Sequence, residues 1–223
     1  MIPKIHRPFT CLLIWAVVSA TAFLSCQTAA EPGQSNLQEE MRNLEFQEKI
    51  LPEIKSVLEP GDIVFRMGTD ITSYMFAELN EKDKRFSHCG IANLEDGKWY
   101  IYHSLGGEFN PDQTMLKEPI EWFAAPGESK NLGIFSPALK SLQKNKMLSV
   151  VRGWYAMEIP FDMQFDLATN DRMYCAEMVT KALVAGTGNA DWVHISRRGN
   201  LNYIDTEDLT SNTILMEKGF WHY

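Results

Sequence analysis

The sequence predicts an α+β domain, and three observations predict it. Short runs rich in β-branched and aromatic residues, "DIVFR", "HCGIANL", "WYIYHSL" and "NLGIFS", read as strands. Two of them are joined by the four-residue turn "EDGK", so they form an antiparallel hairpin rather than a βαβ unit. The stretches "PALKSLQKNKMLSVVRGWYAM" and "CAEMVTKALVAG" carry apolar residues at helical spacing and follow the strands instead of alternating with them. With 223 residues, 45% of them hydrophobic and 22% charged, the chain has enough apolar surface for one sizeable core.

In chain order, "MIPKIHRPFTCLLIWAVVSATAFLSC" reads as an export signal. Lys4 and Arg7 precede an uncharged apolar run from Phe9 to Leu24, and small or polar residues follow. The run is shorter than the roughly 20 residues a bilayer-spanning helix needs. "FLSC" resembles the lipobox of bacterial lipoproteins, which implies cleavage after residue 25 and lipidation of Cys26. Gln27, rather than an aspartate, follows Cys26, which directs such a lipoprotein to the outer membrane of a Gram-negative cell; simple secretion is the alternative.

Residues 26–36, with "QTAAEPGQSN", read as a flexible tether, and the domain spans 37–223. Asn36 and Glu39 mark a helix N-terminus. Leu37, Met41, Leu44, Ile50, Ile54 and Leu58 then recur at helical spacing, with a break at Pro52 and a stop at "EPG". "DITSYMFAEL" is a short helix, Pro137 falls in the first turn of the helix over 137–157, and Gly186 ends the helix that begins at Cys175. The tail "LTSNTILMEKGFWHY" is a closing strand or packed end.

Removal of residues 1–25 leaves 19 basic against 29 acidic residues, a formal charge of −10, which disfavours a nucleic-acid partner. Of four cysteines, Cys11 leaves with the leader and Cys26 carries lipid, so Cys89 and Cys175 remain, and an oxidising compartment makes a disulfide between them the first reading.

Cys175 opens its helix, with Val179, Ala182 and Leu183 on the same face. A lone cysteine on an apolar face is commonly a structural residue. In a first turn, however, free N–H groups and the helix dipole favour thiolate, and the same N–H groups can hold an oxyanion. His88 begins one strand of the hairpin and His103 ends the next, so both imidazoles can face one side of the sheet, as a base and its orienting partner require. No H-E-x-x-H or C-x-x-C spacing supports a metal centre, and no cofactor is called for.

"EPGDIVF", "FSHCGIA", and "PFDMQFD" followed by "YCAEMVTKAL", with a late "IDTEDL", resemble the papain-like NlpC superfamily in its circularly permuted YiiX branch, from about Glu59 to Leu209. That resemblance implies an antiparallel sheet packed against helices, with the histidine strand ahead of the cysteine helix. It further implies a Cys-His-polar triad with Cys175 as nucleophile, His88 as base and His103 as orienter, Glu108 being the alternative third member. Ala176 stands where a serine is frequent in the family. Tyr174 and Glu177 flank the nucleophile as site-shaping residues, while Asp62 and Asp162 fall in shared motifs without a catalytic role.

Because strand neighbours point to opposite faces, a His88 aimed at Cys175 turns Cys89 away, which makes a Cys89–Cys175 bridge awkward. The implied activity is cysteine-dependent cleavage of amide bonds in cell-wall peptides or N-acyl compounds through a thioester. Acyl transfer, as in the lecithin retinol acyltransferase relatives, and a non-catalytic wall-binding lipoprotein are the alternatives.

Overall fold

Strand β1, Ile63–Gly68, is buried at all six positions, because the sheet it belongs to is covered on both faces. That is why "IVFRM" shows no polar alternation. The computed structural model describes residues 32–107 and 110–223; the leader, Cys26, the first part of the tether and Glu108 lie outside them. The remaining strands are β2 (His88–Glu95), β3 (Lys98–His103), β4 (Leu116–Pro119), β5 (Ser129–Pro137), β6 (Ser196–Arg198), β7 (Leu201–Tyr203) and β8 (Leu215–His222). Among the described residues six strands form one antiparallel sheet in the order β4-β3-β2-β1-β5-β8, while β6 and β7 pair separately as a small hairpin.

The helices are α1 (Pro32–Glu45), α2 (Leu51–Val57), α3 (Ile71–Ala77), α4 (Ile120–Phe123), α5 (Ser141–Ala156), α6 (Cys175–Thr187) and α7 (Thr206–Thr210). On one face of the sheet Ile63, Phe65, Cys89 and Ile91 pack with Met147, Leu148 and Val151 of α5 and Met178, Val179, Ala182 and Leu183 of α6. On the other, Val64, Ala92, Ile101, Leu132 and Ile134 pack with Leu51 and Ile54 of α2 and Ile120 and Phe123 of α4. Each fully buried Ile or Phe in these two layers contributes about 1.5–3 kcal/mol from apolar burial. The architecture is thus a mixed α/β one, with an antiparallel sheet between helical layers.

Several elements depart from the sequence reading. Helix α1 already runs from Pro32, ahead of Asn36. Its Leu37, Met41 and Leu44 are exposed, whereas Phe46, Leu51, Ile54 and Leu58 are buried, so the single predicted stripe is two separate faces. Between α1 and α2, Phe46–Ile50 is a π-helical turn in which the Leu51 N–H reaches Phe46 O. The widened turn stands just ahead of Pro52, which has no N–H to continue an α-helical ladder.

Pro137 closes β5 rather than opening α5, which starts at Ser141. Gly186 lies inside α6, where a Cβ would stand 3.1 Å from Gln143 O and 3.2 Å from Leu139 and Met147 side-chain atoms. Its smallness lets α5 and α6 approach. The helix ends instead at Gly188, whose φ of +71° is the left-handed geometry that favours glycine. Among the described residues no helix is long and apolar enough to cross a membrane.

Candidate active site

The hairpin of β2 and β3 turns through Asp96 and Gly97, both at positive φ (50° and 76°), the geometry for which Asp-Gly is suited. The turn fixes the register Ile91↔Tyr102, which leaves His88 and His103 at the same end of the two strands. There His88 Nε2 lies 2.9 Å from His103 Nδ1, with the rings edge to face at 81°. His103 is fully buried and His88 nearly so.

Glu118 on β4 extends the chain, its Oε2 lying 3.1 Å from His103 Nε2. That is ion-pair distance, although Nε2 makes no well-aligned hydrogen bond. A carboxylate beside Nε2 selects the tautomer in which Nε2 carries the proton. His103 Nδ1 then accepts from His88 Nε2–H, and His88 Nδ1 is left as the free lone pair. Nothing in the sequence announced Glu118: β4 is four residues long, shows no alternation, and ends in a proline.

Burial and neighbouring charges disfavour the protonated form of both rings. Burial, then the neighbouring His103, then Arg66 push the His88 pKa well below that of a free imidazole. Burial and Arg66 likewise lower His103, against an opposing pull from Glu118. Arg66 stands opposite His88 on β1, and its guanidinium lies 4.5 Å from the centroid of the Phe123 ring. The two imidazoles also pack on Phe123, at 5.8 and 5.1 Å.

Cys175 is the first residue of α6, following N-cap Tyr174. Three contacts hold this helix start. Ser104 Oγ, one residue beyond His103, donates to Met173 O at 2.5 Å. The Tyr174 N–H donates to Glu177 Oε2 at 3.2 Å, and Tyr174 Oη accepts from the Ile204 N–H at 2.7 Å. Glu177 is fully buried with Lys181 at 2.8 Å; its carboxyl pKa is raised, chiefly by burial. Tyr174 and Glu177 thus hold the helix end in place, and Tyr174 also lines the cavity described below.

The expectation that Cys89 turns away from Cys175 is reversed. Cys89 shares the face of Phe65 and Ile91 and packs toward α6, whereas His88, Arg66 and His103 have the strand parity of the α4 face and gather round Phe123. The Cys89 side chain is the largest cause of a lowered Cys175 pKa; burial opposes it, and the N–H groups of Cys89, Ala176 and Cys175 itself add to it. Cys89 pays the complementary penalty, its pKa pushed well above the usual thiol value by burial and by Cys175. Both cysteines are free thiols.

His88 and Cys175 nevertheless open on one cavity of about 430 Å³ at the end of the sheet. Its apolar wall includes Phe76, Leu105, Phe161, Phe165 and Ile204, and Arg66, Asp70, Asn80, Glu128 and Asp205 bring polar groups into it. The structure therefore joins His88, His103 and Glu118 in one chain, packs Cys175 in the same core layer as Cys89, and sets His88 and Cys175 on walls of a common space.

Asp62 is fully buried, accepts from the Glu59 N–H at 2.8 Å and pairs with Lys218 at 2.9 Å; Asp162 accepts from the Gln164 and Asp166 N–H groups at 2.8 and 2.6 Å. Both are turn-stabilising carboxylates. Among the described residues no group of three or more His, Cys, Asp or Glu side chains is placed to hold a metal ion.

No protein-family model matches the chain, and no curated protein sequence does. Among solved structures, a crystal structure described as the metalloprotein YiiX from Escherichia coli O157:H7 superposes with a TM-score of 0.59 at 16% identity, over 74% of this chain and 98% of that one. The chain therefore has a YiiX-like fold.

Proposed function

We propose that this YiiX-like protein is a cysteine amidohydrolase of the cell envelope, related to the papain-like NlpC superfamily in its permuted arrangement, and anchored by lipid on Cys26. The observation that carries the reading is the meeting, in one cavity, of a helix-start thiol with a lowered pKa and a Glu118–His103–His88 chain that ends in a free imidazole lone pair.

In this reaction His88 Nδ1 takes the proton of Cys175, and the thiolate attacks the carbonyl carbon of an amide. Thiol and ring line the same cavity from opposite sheet faces, so this transfer requires the substrate-bound cavity to bring them within hydrogen-bond reach, directly or through one water. The negative oxygen of the tetrahedral intermediate is stabilised by the N–H groups at the start of α6, which also contribute to the lowered Cys175 pKa. Collapse breaks the C–N bond, and the amine leaves with the proton from His88. A thioester remains, and water, deprotonated by His88, attacks it to release the acid and restore the thiol. His103 and Glu118 hold the His88 tautomer that accepts the proton.

The substrates are amides of cell-wall peptides or of N-acyl compounds. The test is turnover of such amides by wild-type protein and by Cys175→Ala. The variant is expected to lose all activity, and wild type is expected to show a mass increase on Cys175 when the acyl-enzyme is trapped at low pH. Activity that survives in Cys175→Ala overturns the assignment. The anchor is tested by detergent-phase partitioning, which Cys26→Ser is expected to abolish without unfolding the domain.

A further inference from the structure

Arg66 is a buried cation with no ion-pair partner in contact among the described residues. It is 6% exposed, and among the described residues no carboxylate lies within 4.0 Å of its guanidinium. Of its five N–H donors, one hydrogen bond is accounted for, from Nη1 to Phe123 O at 3.0 Å, and Nε is buried with no partner at all. A buried guanidinium left in that state is costly to the fold, because the desolvation of the charge is not offset by an ion pair. Of the acids whose charges act on it, Glu118 faces His103, Asp70 caps α3 by accepting from the Ser73 N–H and hydroxyl at 2.9 and 2.6 Å, and Glu128, which also lines the cavity, makes no ion pair with it.

The guanidinium also lies where a substrate reaches it, since Arg66 lines the cavity with His88 and Cys175 and stands directly opposite His88 across the β1–β2 pair. Its back is fixed by the Phe123 ring, which pre-organises the planar fork. A fork of free N–H donors in a partly apolar cavity is complementary to a carboxylate, which it binds through two parallel hydrogen bonds.

We propose that Arg66 is a specificity residue that binds a free carboxylate of the substrate, so that the cavity selects amides bearing a carboxylate near the scissile bond: an N-acyl amino acid or the C-terminal residue of a peptide. This rests on the amidohydrolase reading for its chemistry, but the binding site stands apart from turnover. Asn80, 2% exposed, brings an unpartnered acceptor, its Oδ1, to the same cavity, where it suits the N–H of such a ligand.

The experiment compares N-acetyl-alanine with its carboxamide, N-acetyl-alanine amide, titrated into Cys175→Ala protein and followed by NMR. The carboxylate form is expected to bind at least tenfold more tightly. In the Arg66→Gln, Cys175→Ala double variant the preference is expected to vanish, and in Arg66→Lys, which keeps the charge and loses the fork, to persist in part. Equal affinity for the two compounds, binding of neither, or a preference that survives Arg66→Gln in protein shown to be folded overturns the proposal. Should Arg66→Gln not fold, the comparison of the two compounds on Cys175→Ala and on Arg66→Lys, Cys175→Ala decides it. Failure of the amidohydrolase reading has a different signature: absent turnover by wild type with the binding preference intact.

Discussion

Cys89 on β2 and Cys175 at the start of α6 pack on the same side of the sheet, and the Cys89 side chain is the largest influence holding Cys175 below the ordinary thiol value, while burial and then Cys175 hold Cys89 well above it. The lowered value at Cys175 thus owes its origin to Cys89 and to backbone N–H groups rather than to an imidazolium, and burial, His103 and Arg66 all disfavour the imidazolium of His88.

Replacement of Cys89 by alanine removes the largest lowering influence on Cys175. The iodoacetamide alkylation rate of Cys175, followed against pH, is expected to shift to higher pH in Cys89→Ala. The truncation at a fully buried site costs about 1 kcal/mol of stability. An unshifted curve would show that the two thiols do not communicate.

Stability should fall on mild acidification. The folded-state pKa values of His88 and His103 are depressed, so below about 6.5 the unfolded chain takes up protons that the folded one does not. Their contribution is present in full above that pH and is lost as pH falls, at up to about 1.4 kcal/mol per pH unit for each ring. Asp205 works against this trend, since burial raises its pKa to about 6 and makes the folded state the better proton acceptor below that pH. Chemical denaturation between pH 5.5 and 7.5 is the measurement, and His88→Asn and His103→Asn are each expected to flatten the slope.

Glu118 is expected to act through the tautomer of His103. In Glu118→Gln, nitrogen-15 spectra should show His103 no longer confined to the Nε2–H form, and amide turnover should fall by about 100-fold. That is less than the ~10⁴-fold of a carboxylate that touches the catalytic base directly, because Glu118 stands one ring further away. Unchanged spectra and turnover would make the 3.1 Å contact a structural one.

Gly186→Ala places a methyl 3.1–3.2 Å from α5 and is expected to destabilise by about 1–2 kcal/mol, read as a lowered Tm. Gly188→Ala meets no neighbour within 4 Å, and its cost of about 1 kcal/mol comes from the left-handed backbone alone. A stabilised Gly186→Ala protein would contradict the close helix packing.

Local pattern alone determined the β2–β3 hairpin, since Asp96-Gly97 and the flanking apolar runs encode its turn and register within a dozen residues. It also brought His88 and His103 to one end of that hairpin, and put Cys175 at a helix start. The orientation of those side chains was beyond its reach. Period-two alternation says that His88 and Cys89 face opposite ways, but which of them faces α6 depends on which sheet face each helix covers. Glu118 and Arg66 reach the histidines from β4 and β1, strands that strand pairing alone makes neighbours, 15 and 22 residues away in sequence from His103 and His88. Such long-range partners leave no local periodicity to read. The tertiary structure decided them because only the closed sheet removes water from around the charges, and that removal, rather than residue type, sets the protonation of the site.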